Sequence, residues 1–241
     1  MLRRTAVLLQ EASHQLRQGS RLSPAAEFDF IPATSSDLPR ILDIAKHDFI
    51  KTEPHSIALG LTAEGMHGIL EWIIAKSLHY PHSYVITEKG SDKAIGFRLM
   101  SIGYRKPEDN WEPFELEITD PKTMILGEIL EGTKDLFWEI KKDVNKVLRR
   151  EITFVTRRHQ RKGIAQHLLH LGLDFELLKA SGMEGIVSEA SSIANQSLLD
   201  RNGYLHLADA PKKSYVDENG QPLFKFDDET QVVKLMYKPL Q

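Results

Sequence analysis

The chain contains no cysteine. Disulfides, thiolate nucleophiles and cysteine zinc sites are therefore excluded, and the composition is compatible with a reducing compartment. A metal would have to be held by histidines. His167 and His170 stand three apart on an expected helix, but no HExxH arrangement contains them, so no metal is expected. No apolar run approaches the ~20 residues that a membrane-spanning helix needs, so a membrane is not an expected partner. A net charge of −3 gives no global attraction for nucleic acid, which is not an expected partner either. Neither GxxxxGK[ST] nor GxGxxG occurs between a strand and a helix. There is no internal repeat and no low-complexity segment.

What is present is an ordinary globular composition, with 41% hydrophobic and 27% charged residues over 241 positions, enough for one full domain or two small ones. Residues 1–24 differ in character. Arg3, Arg4, Arg17 and Arg21 lie among Leu, Ala, Ser and Gln, with Glu11 the single acid before Pro24. This leader reads either as a mitochondrial transit peptide or as a disordered appendage. Residues 25–241 form the expected domain, cytoplasmic unless the leader directs it to mitochondria.

Phe28 to Ile31 reads as a strand, with Thr34 or Ser35 capping a helix over about 37–50. A second helix is expected over 62–78, with Met66, Ile69, Leu70, Ile73 and Ile74 as its apolar stripe. Tyr84–Glu88 and Ala94–Met100 flank the turn signal Lys89-Gly90-Ser91-Asp92 and read as antiparallel strands. The acidic, proline-bearing segment 106–122 reads as irregular, and 124–148 as helical. The strand Glu151–Thr156 should turn into one long helix carrying Ile164, Leu168, Leu171, Phe175 and Leu178. A strand at Gly185–Glu189, a helix Ser192–Arg201 stopped at Asn202-Gly203, and closing strands at 204–207 and 230–237 complete the chain. Antiparallel strands followed by a βαβ unit argue a mixed sheet with helices on both faces.

The junction between the strand Glu151–Thr156 and its helix is Gln160-Arg161-Lys162-Gly163-Ile164-Ala165. Gly163 has no Cβ, and the first turn of a helix leaves N–H groups without intrahelical partners. Those donors, the helix dipole, Arg161 and Lys162 together suit a diphosphate. On these residues alone a solvated basic loop is an equal alternative.

Gln160-x-x-Gly163-x-Ala165 resembles the acyl-CoA signature of the GCN5-related N-acetyltransferase (GNAT) superfamily. Three further places strengthen the likeness. Lys51-Thr52-Glu53-Pro54, the helix Ser191-Ser192 to Gly203-Tyr204, and the C-terminal Gly220 to Phe224 with Lys234 to Lys238 are similar to the arylalkylamine or dopamine N-acetyltransferase branch of insects and nematodes. The resemblance covers about residues 27–240.

That resemblance implies an α/β (mixed α+β) fold with a central, mostly antiparallel sheet whose fourth and fifth strands splay, and helices on both faces. It implies acetyl-CoA as co-substrate, no metal, a small-molecule amine as acceptor, and a monomer or homodimer. Acetyl would pass directly to the amine in a ternary complex. The acceptor would be an arylalkylamine such as dopamine, serotonin, tyramine or octopamine. Alternatives are a polyamine, amino acid or protein amine, or a non-catalytic acyl-CoA-binding module.

Coenzyme contacts are expected from Phe154, Val155, Thr156, Gln160, Arg161, Lys162, Gly163, Ile164 and Ala165. A backbone N–H at Val155 or Thr156 would polarise the thioester carbonyl. An alkylammonium at pH 7 lies about 4 kcal/mol from its free amine. Glu53 is the expected general base, acting through water with a pKa raised by partial desolvation. Glu53-Pro54 also reads as a plain helix-to-loop exit. Ser191, Ser192 and Asn195 are its expected proton-relay partners, although the two serines equally suit an N-cap and asparagine is a poor shuttle. The position where many relatives in the superfamily carry a tyrosine acid is Leu199.

Overall fold

A computed structural model describes residues 23–211, 215–226 and 232–240. Residues 1–22 of the leader and the start of the expected strand at 230–237 lie outside the described residues. Seven strands form one sheet: β1 (Phe28–Pro32), β2 (Tyr84–Glu88), β3 (Ala94–Tyr104), β4 (Lys146–Val155), β5 (Gly185–Ala190), β6 (Leu205–Asp209) and β7 (Lys234–Pro239). Their order is β1-β2-β3-β4-β5-β7-β6. Only the central pair β4–β5 is parallel. The helices are α1 (Pro24–Glu27), α2 (Leu38–Ile44), α3 (Pro54–Leu59), α4 (His67–Leu78), α5 (Pro121–Ile140), α6 (Ile164–Leu168), α7 (Phe175–Ala180) and α8 (Ile193–Arg201).

Strand alternation sends successive side chains to opposite faces, and each face has its own core. On one, Phe97, Leu99 and Phe154 pack against Ile41, Leu70, Ile74 and Leu126 of α2, α4 and α5. Further along α5, Phe137 meets Val147, Val187 and Leu235. On the other, Met100, Leu148, Ile186 and Met236 pack against Leu169, Leu178 and Leu199. Burying one such side chain stabilises by about 1.5–3 kcal/mol, so both faces depend on keeping the strand register.

The local chemistry explains where elements start. Thr34 and Asp37 form a reciprocal capping box on the 3-10 turn Ser35–Asp37 that leads into α2. Pro54 occupies the first turn of α3, where its missing N–H costs nothing, and Gly60 closes that helix at φ +63°.

Several boundaries differ from those read in the sequence. The helix expected over 37–50 changes after Ile44 into a π-helical stretch, Ala45–Phe49. The helix expected from Thr62 begins at His67, because Thr62 Oγ1 takes the N–H of Gly65 and makes a turn. The helical region expected over 124–148 ends at Ile140. Arg105 donates to the carbonyls of Trp138, Lys141 and Val144, which ends the helix and leaves 146–150 to pair with β3. The one long helix expected after residue 163 is two short ones. Gly172, at φ +64°, turns the chain, and Asp174 caps the second by accepting from Glu176 and Leu177. The apolar period survives the break, since Ile164, Leu168 and Leu178 are all buried against the sheet.

Candidate active site

β4 and β5 are hydrogen-bonded neighbours for only three residues, Val147↔Gly185 to Arg149↔Val187. Beyond that rung β5 goes on pairing with β7 to Ala190, while β4 goes on pairing with β3 to Val155. The two strands therefore part into a cleft whose foot is at Arg149 and Val187. A bulge supplies part of the divergence. Leu99 faces Ile152 and Met100 faces Arg150, so Glu151 is the extra residue on β4.

The ladder also says which backbone groups face the cleft. Thr156 N–H is 2.8 Å from the carbonyl of Ile95 and is thus spent on β3. Backbone groups alternate in direction along a strand, so Val155 and Thr153 turn theirs away from β3, toward the gap. Of the two oxyanion donors expected, Val155 has a free direction and Thr156 does not. The Val155 carbonyl is taken by Gln160 Nε2 at 3.0 Å, which fastens the loop to the end of the strand.

The loop itself is held from several sides. His159 is buried, with Nδ1 2.7 Å from Thr156 Oγ1 and Nε2 2.8 Å from Glu88 Oε1. Arg161 adopts φ +65° and Gly163 φ +81°, the left-handed region that non-glycine residues seldom use. A Cβ on Gly163 would meet only Pro24 Cγ at 3.5 Å, so conformation and not crowding demands glycine there. Lys162 is already partnered, its Nζ 3.1 Å from Glu27 Oε2 and above the Phe28 ring. Phe154 and Ile164 are core residues, Phe154 against Phe49 and Phe97, while Ala165 is half-buried.

Beneath α6, the wholly buried Arg98 of β3 donates to the carbonyls of Leu168 and Leu171, and to that of His82 at 2.8 Å. The carbonyls of Leu168 and Leu171 lie at the C-terminal side of α6, where a cation matches the dipole. Burial, with Arg150 nearby, pulls its pKa down to about 10. Nothing in the local sequence distinguishes this arginine from a solvated one.

Glu53 is 7% exposed and caps α3. Its Oε1 accepts from His55 N–H at 3.1 Å, and its Oε2 from Ser56 N–H and Oγ, both at 2.6 Å. Burial works to raise its pKa, but the donors of His55 and Ser56 and the His55 charge outweigh it and hold the carboxyl below its ordinary value. The raised pKa expected from sequence is thus reversed, and Glu53-Pro54 opens a helix where the sequence also allowed an exit. No hydrogen bond among the described residues joins Glu53 to Ser191, Ser192 or Asn195. Ser192 Oγ accepts from Asn195 N–H at 3.3 Å as the N-cap of α8, and Ser191 is half-buried. Leu199 is wholly buried in the core under α8.

A second group of charged residues was missed in the sequence. Arg149 and Glu189 form an ion pair at 2.7 Å, 6% and 5% exposed, just past the last β4–β5 rung. Glu151 accepts from Ser101 Oγ at 2.5 Å. Burial raises its pKa, but Lys134, Arg149, Ser101 and Lys76 together bring it below the ordinary value. Glu189, raised first by burial, is held above it despite Arg149. Arg149 and Glu151 line a cavity of about 500 Å³ between α4 and α5, with Trp72 and Trp138 in its walls. The legible signal was Arg149-Arg150-Glu151 inside a strand, where charges need partners.

This topology, a sheet parted between its only parallel pair with a left-handed loop at the cleft's open end, decides the architecture. The fold is the GNAT fold. No family model matches the chain. Among solved structures it is similar to arylalkylamine N-acetyltransferase 2 of Aedes aegypti, with TM-score 0.71 and 22% identity over 89% of this chain and 99% of that one. It is similar to the C-terminal condensation domain of Ebony bound to beta-alanyl-dopamine, with TM-score 0.68 and 19% identity over 88% and 99%. It is also similar to the polyamine N-acetyltransferase of Drosophila melanogaster, with TM-score 0.61 and 10% identity over 88% and 100%. The GNAT fold is therefore shared with proteins whose substrates differ, and the fold alone does not fix a function for this chain.

Proposed function

We propose that the protein is an N-acetyltransferase that moves acetyl from acetyl-CoA to a primary amine in a ternary complex. The observation that carries this reading is the cleft. Three rungs of parallel pairing give way to free strand edges, which suit the pantetheine arm as an added strand. Val155 N–H is the donor with a free direction for the developing oxyanion, a fixed dipole where charge accumulates. The coenzyme's diphosphate would lie on the loop 160–163, where Arg161 and Gly163 hold their left-handed conformations and Lys162 exchanges Glu27 for phosphate. Gln160 supports this by fastening the loop to β4.

The chain's own contribution to the chemistry is placement. The amine must approach from the face covered by α4 and α5 and lose its proton, a step of about 4 kcal/mol at pH 7 in water that desolvation reduces. Ser192 and Glu53 are engaged in capping helices and Asn195 lends that cap only its backbone N–H, so proton transfer is assigned to none of them. With Leu199 in the core, the departing thiolate has no phenol at that position. A thiol of pKa about 8.5 leaves at neutral pH without a strong acid.

The absence of a phenol at Leu199 also fits a module that binds acyl-CoA without turnover. Titration with acetyl-CoA and a free-thiol assay with a panel of aryl and aliphatic amines separate the two. The transferase reading expects saturable binding and amine-dependent thiol release. Binding without release favours the module, and no binding ends both readings.

A further inference from the structure

On the sheet face under α6, two arginines are buried without an acid. Arg98 is wholly buried and Arg150 is 3% exposed. Arg98 spends Nη1 and Nη2 on backbone carbonyls, and its Nε has no partner. Arg150 makes only long contacts, to the Leu169 carbonyl and to Thr153 Oγ1, both at 3.4 Å. The groups facing it are Arg98 on β3, His170 beyond α6 and the Tyr204 phenol after α8, with Lys238 of β7 above the Tyr204 ring. No carboxylate acts on either guanidinium among the described residues. The neighbouring Arg149, on the opposite face, has Glu189 at 2.7 Å. A guanidinium taken out of water is costly unless a negative charge joins it.

The place of Arg150 indicates which charge that is. It is the first residue of β4 past the last β4–β5 rung, Arg149↔Val187. Its Nη2 leans along the strand to Thr153, whose amide, like that of Val155, turns toward the gap. The pantetheine arm would come from the loop before α6, so the coenzyme's sulfur enters from the same side of the sheet. When the amine nitrogen attacks the acetyl carbon, a C–N bond forms, the C–S bond breaks and its electron pair stays on sulfur. The nitrogen's proton leaves to water, and the thiolate later takes a proton from water. Negative charge thus develops on the face that holds two unpaired cations.

We propose that Arg150, with Arg98 behind it, is the counter-charge of the departing thiolate, supplying by electrostatics what a phenol at Leu199 would supply by proton donation. The inference rests on the acetyl-transfer reading and adds a residue to it. A fixed charge in a site poor in water acts strongly on a charge that forms beside it. The Tyr204 phenol interacts with the same guanidinium and orients it.

The test reads the thiol itself. Coenzyme A is bound to the full chain, and its ionisation is followed across pH by the ultraviolet absorbance of the thiolate, after subtraction of the unliganded chain. The chain has no cysteine, so the thiolate signal belongs to the coenzyme. In wild type the bound thiol should ionise about one pH unit or more below free coenzyme A, about a tenfold change in the ionisation constant. Arg150→Met should return it to the free value or above, whereas Arg150→Lys, which keeps the charge, should retain most of the shift. Tyr204→Phe should move it less than Arg150→Met does. If Arg150→Met fails to fold, Arg150→Gln serves instead, since it keeps a polar donor for Thr153 and Leu169 without the charge. A bound thiol that ionises as in free solution, an unmoved thiol in the folded uncharged variant, or a larger change in Tyr204→Phe overturns the proposal. Failure of wild type to bind coenzyme A would instead strike at the transferase reading.

Discussion

Glu53 and Glu151 are two carboxylates sheltered on the same side of one sheet, yet their surroundings assign them opposite work. Glu53 is saturated by donors from the two residues that follow Pro54, so all its hydrogen bonds come from its own helix. Glu151 takes one hydroxyl from a neighbouring strand and shows its other oxygen to a cavity. A carboxylate with both oxygens engaged by its own helix stabilises its own segment, whereas one with an oxygen that accepts no hydrogen bond can hold a ligand. Sequence motif directs attention to the first. Geometry directs it to the second.

The comparison can be broken most forcefully at its support. Arg149→Met would leave Glu189 buried without its cation, and removal of one partner of such a pair costs about 3–5 kcal/mol. Urea denaturation should show a loss of that order, and a loss below about 1 kcal/mol would mean that the pair does not brace the foot of the cleft.

Next in size is the loop. Gly163→Glu adds a side chain at φ +81° and a negative charge where the diphosphate is placed, so acetyl-CoA affinity should fall about a hundredfold by titration, near 2.7 kcal/mol. Circular dichroism should stay near wild type, because a Cβ there meets no close neighbour. Retained affinity would move the coenzyme elsewhere.

Glu53→Gln should act on stability, by about 0.5–2 kcal/mol at pH 7, as expected for a lost helix cap. Because the folded pKa lies below the ordinary value, Glu53 contributes stability that is fully present above its unfolded pKa. That contribution disappears as pH falls through the folded pKa. The gap between Glu53→Gln and wild type in thermal melts should therefore close toward acid pH. A gap that widened on acidification, or a change in amine affinity larger than in Glu151→Gln, would reverse the roles given to the two residues.

The smallest effect is expected at the loop's outer contact. Glu27→Gln frees Lys162 from a half-exposed pair, worth 1 kcal/mol or less, and should tighten acetyl-CoA binding up to about fivefold at low salt. No change at any salt concentration would take Lys162 out of the phosphate site.

Much of this was legible along the chain. Alternating and helical periodicities marked the strands around residues 28, 84 and 94 and the helix after Ser192, because burial on one face imposes its period locally. Asn202-Gly203 and Gly220 marked their turns because a left-handed backbone favours glycine. The loop 160–163 was legible too, since its residues are contiguous. The break at Gly172 was not, because the same apolar period runs through both short helices. The strand at 146–150 was hidden because Lys146, Arg149 and Arg150 carry charge whose partners lie far away in sequence.

The sequence by itself therefore determined the mixed sheet, the order of its elements and the presence of a loop suited to an anion. Those follow from nearest-neighbour chemistry and from which face of each segment is apolar. Tertiary structure alone decided where the strands part, which backbone N–H is free in the gap, and which of two glutamates has an oxygen to offer. Each depends on residues as distant as Ser101 and Glu151, or Arg149 and Glu189, and a pairing made across the sheet leaves no local period for a sequence to show.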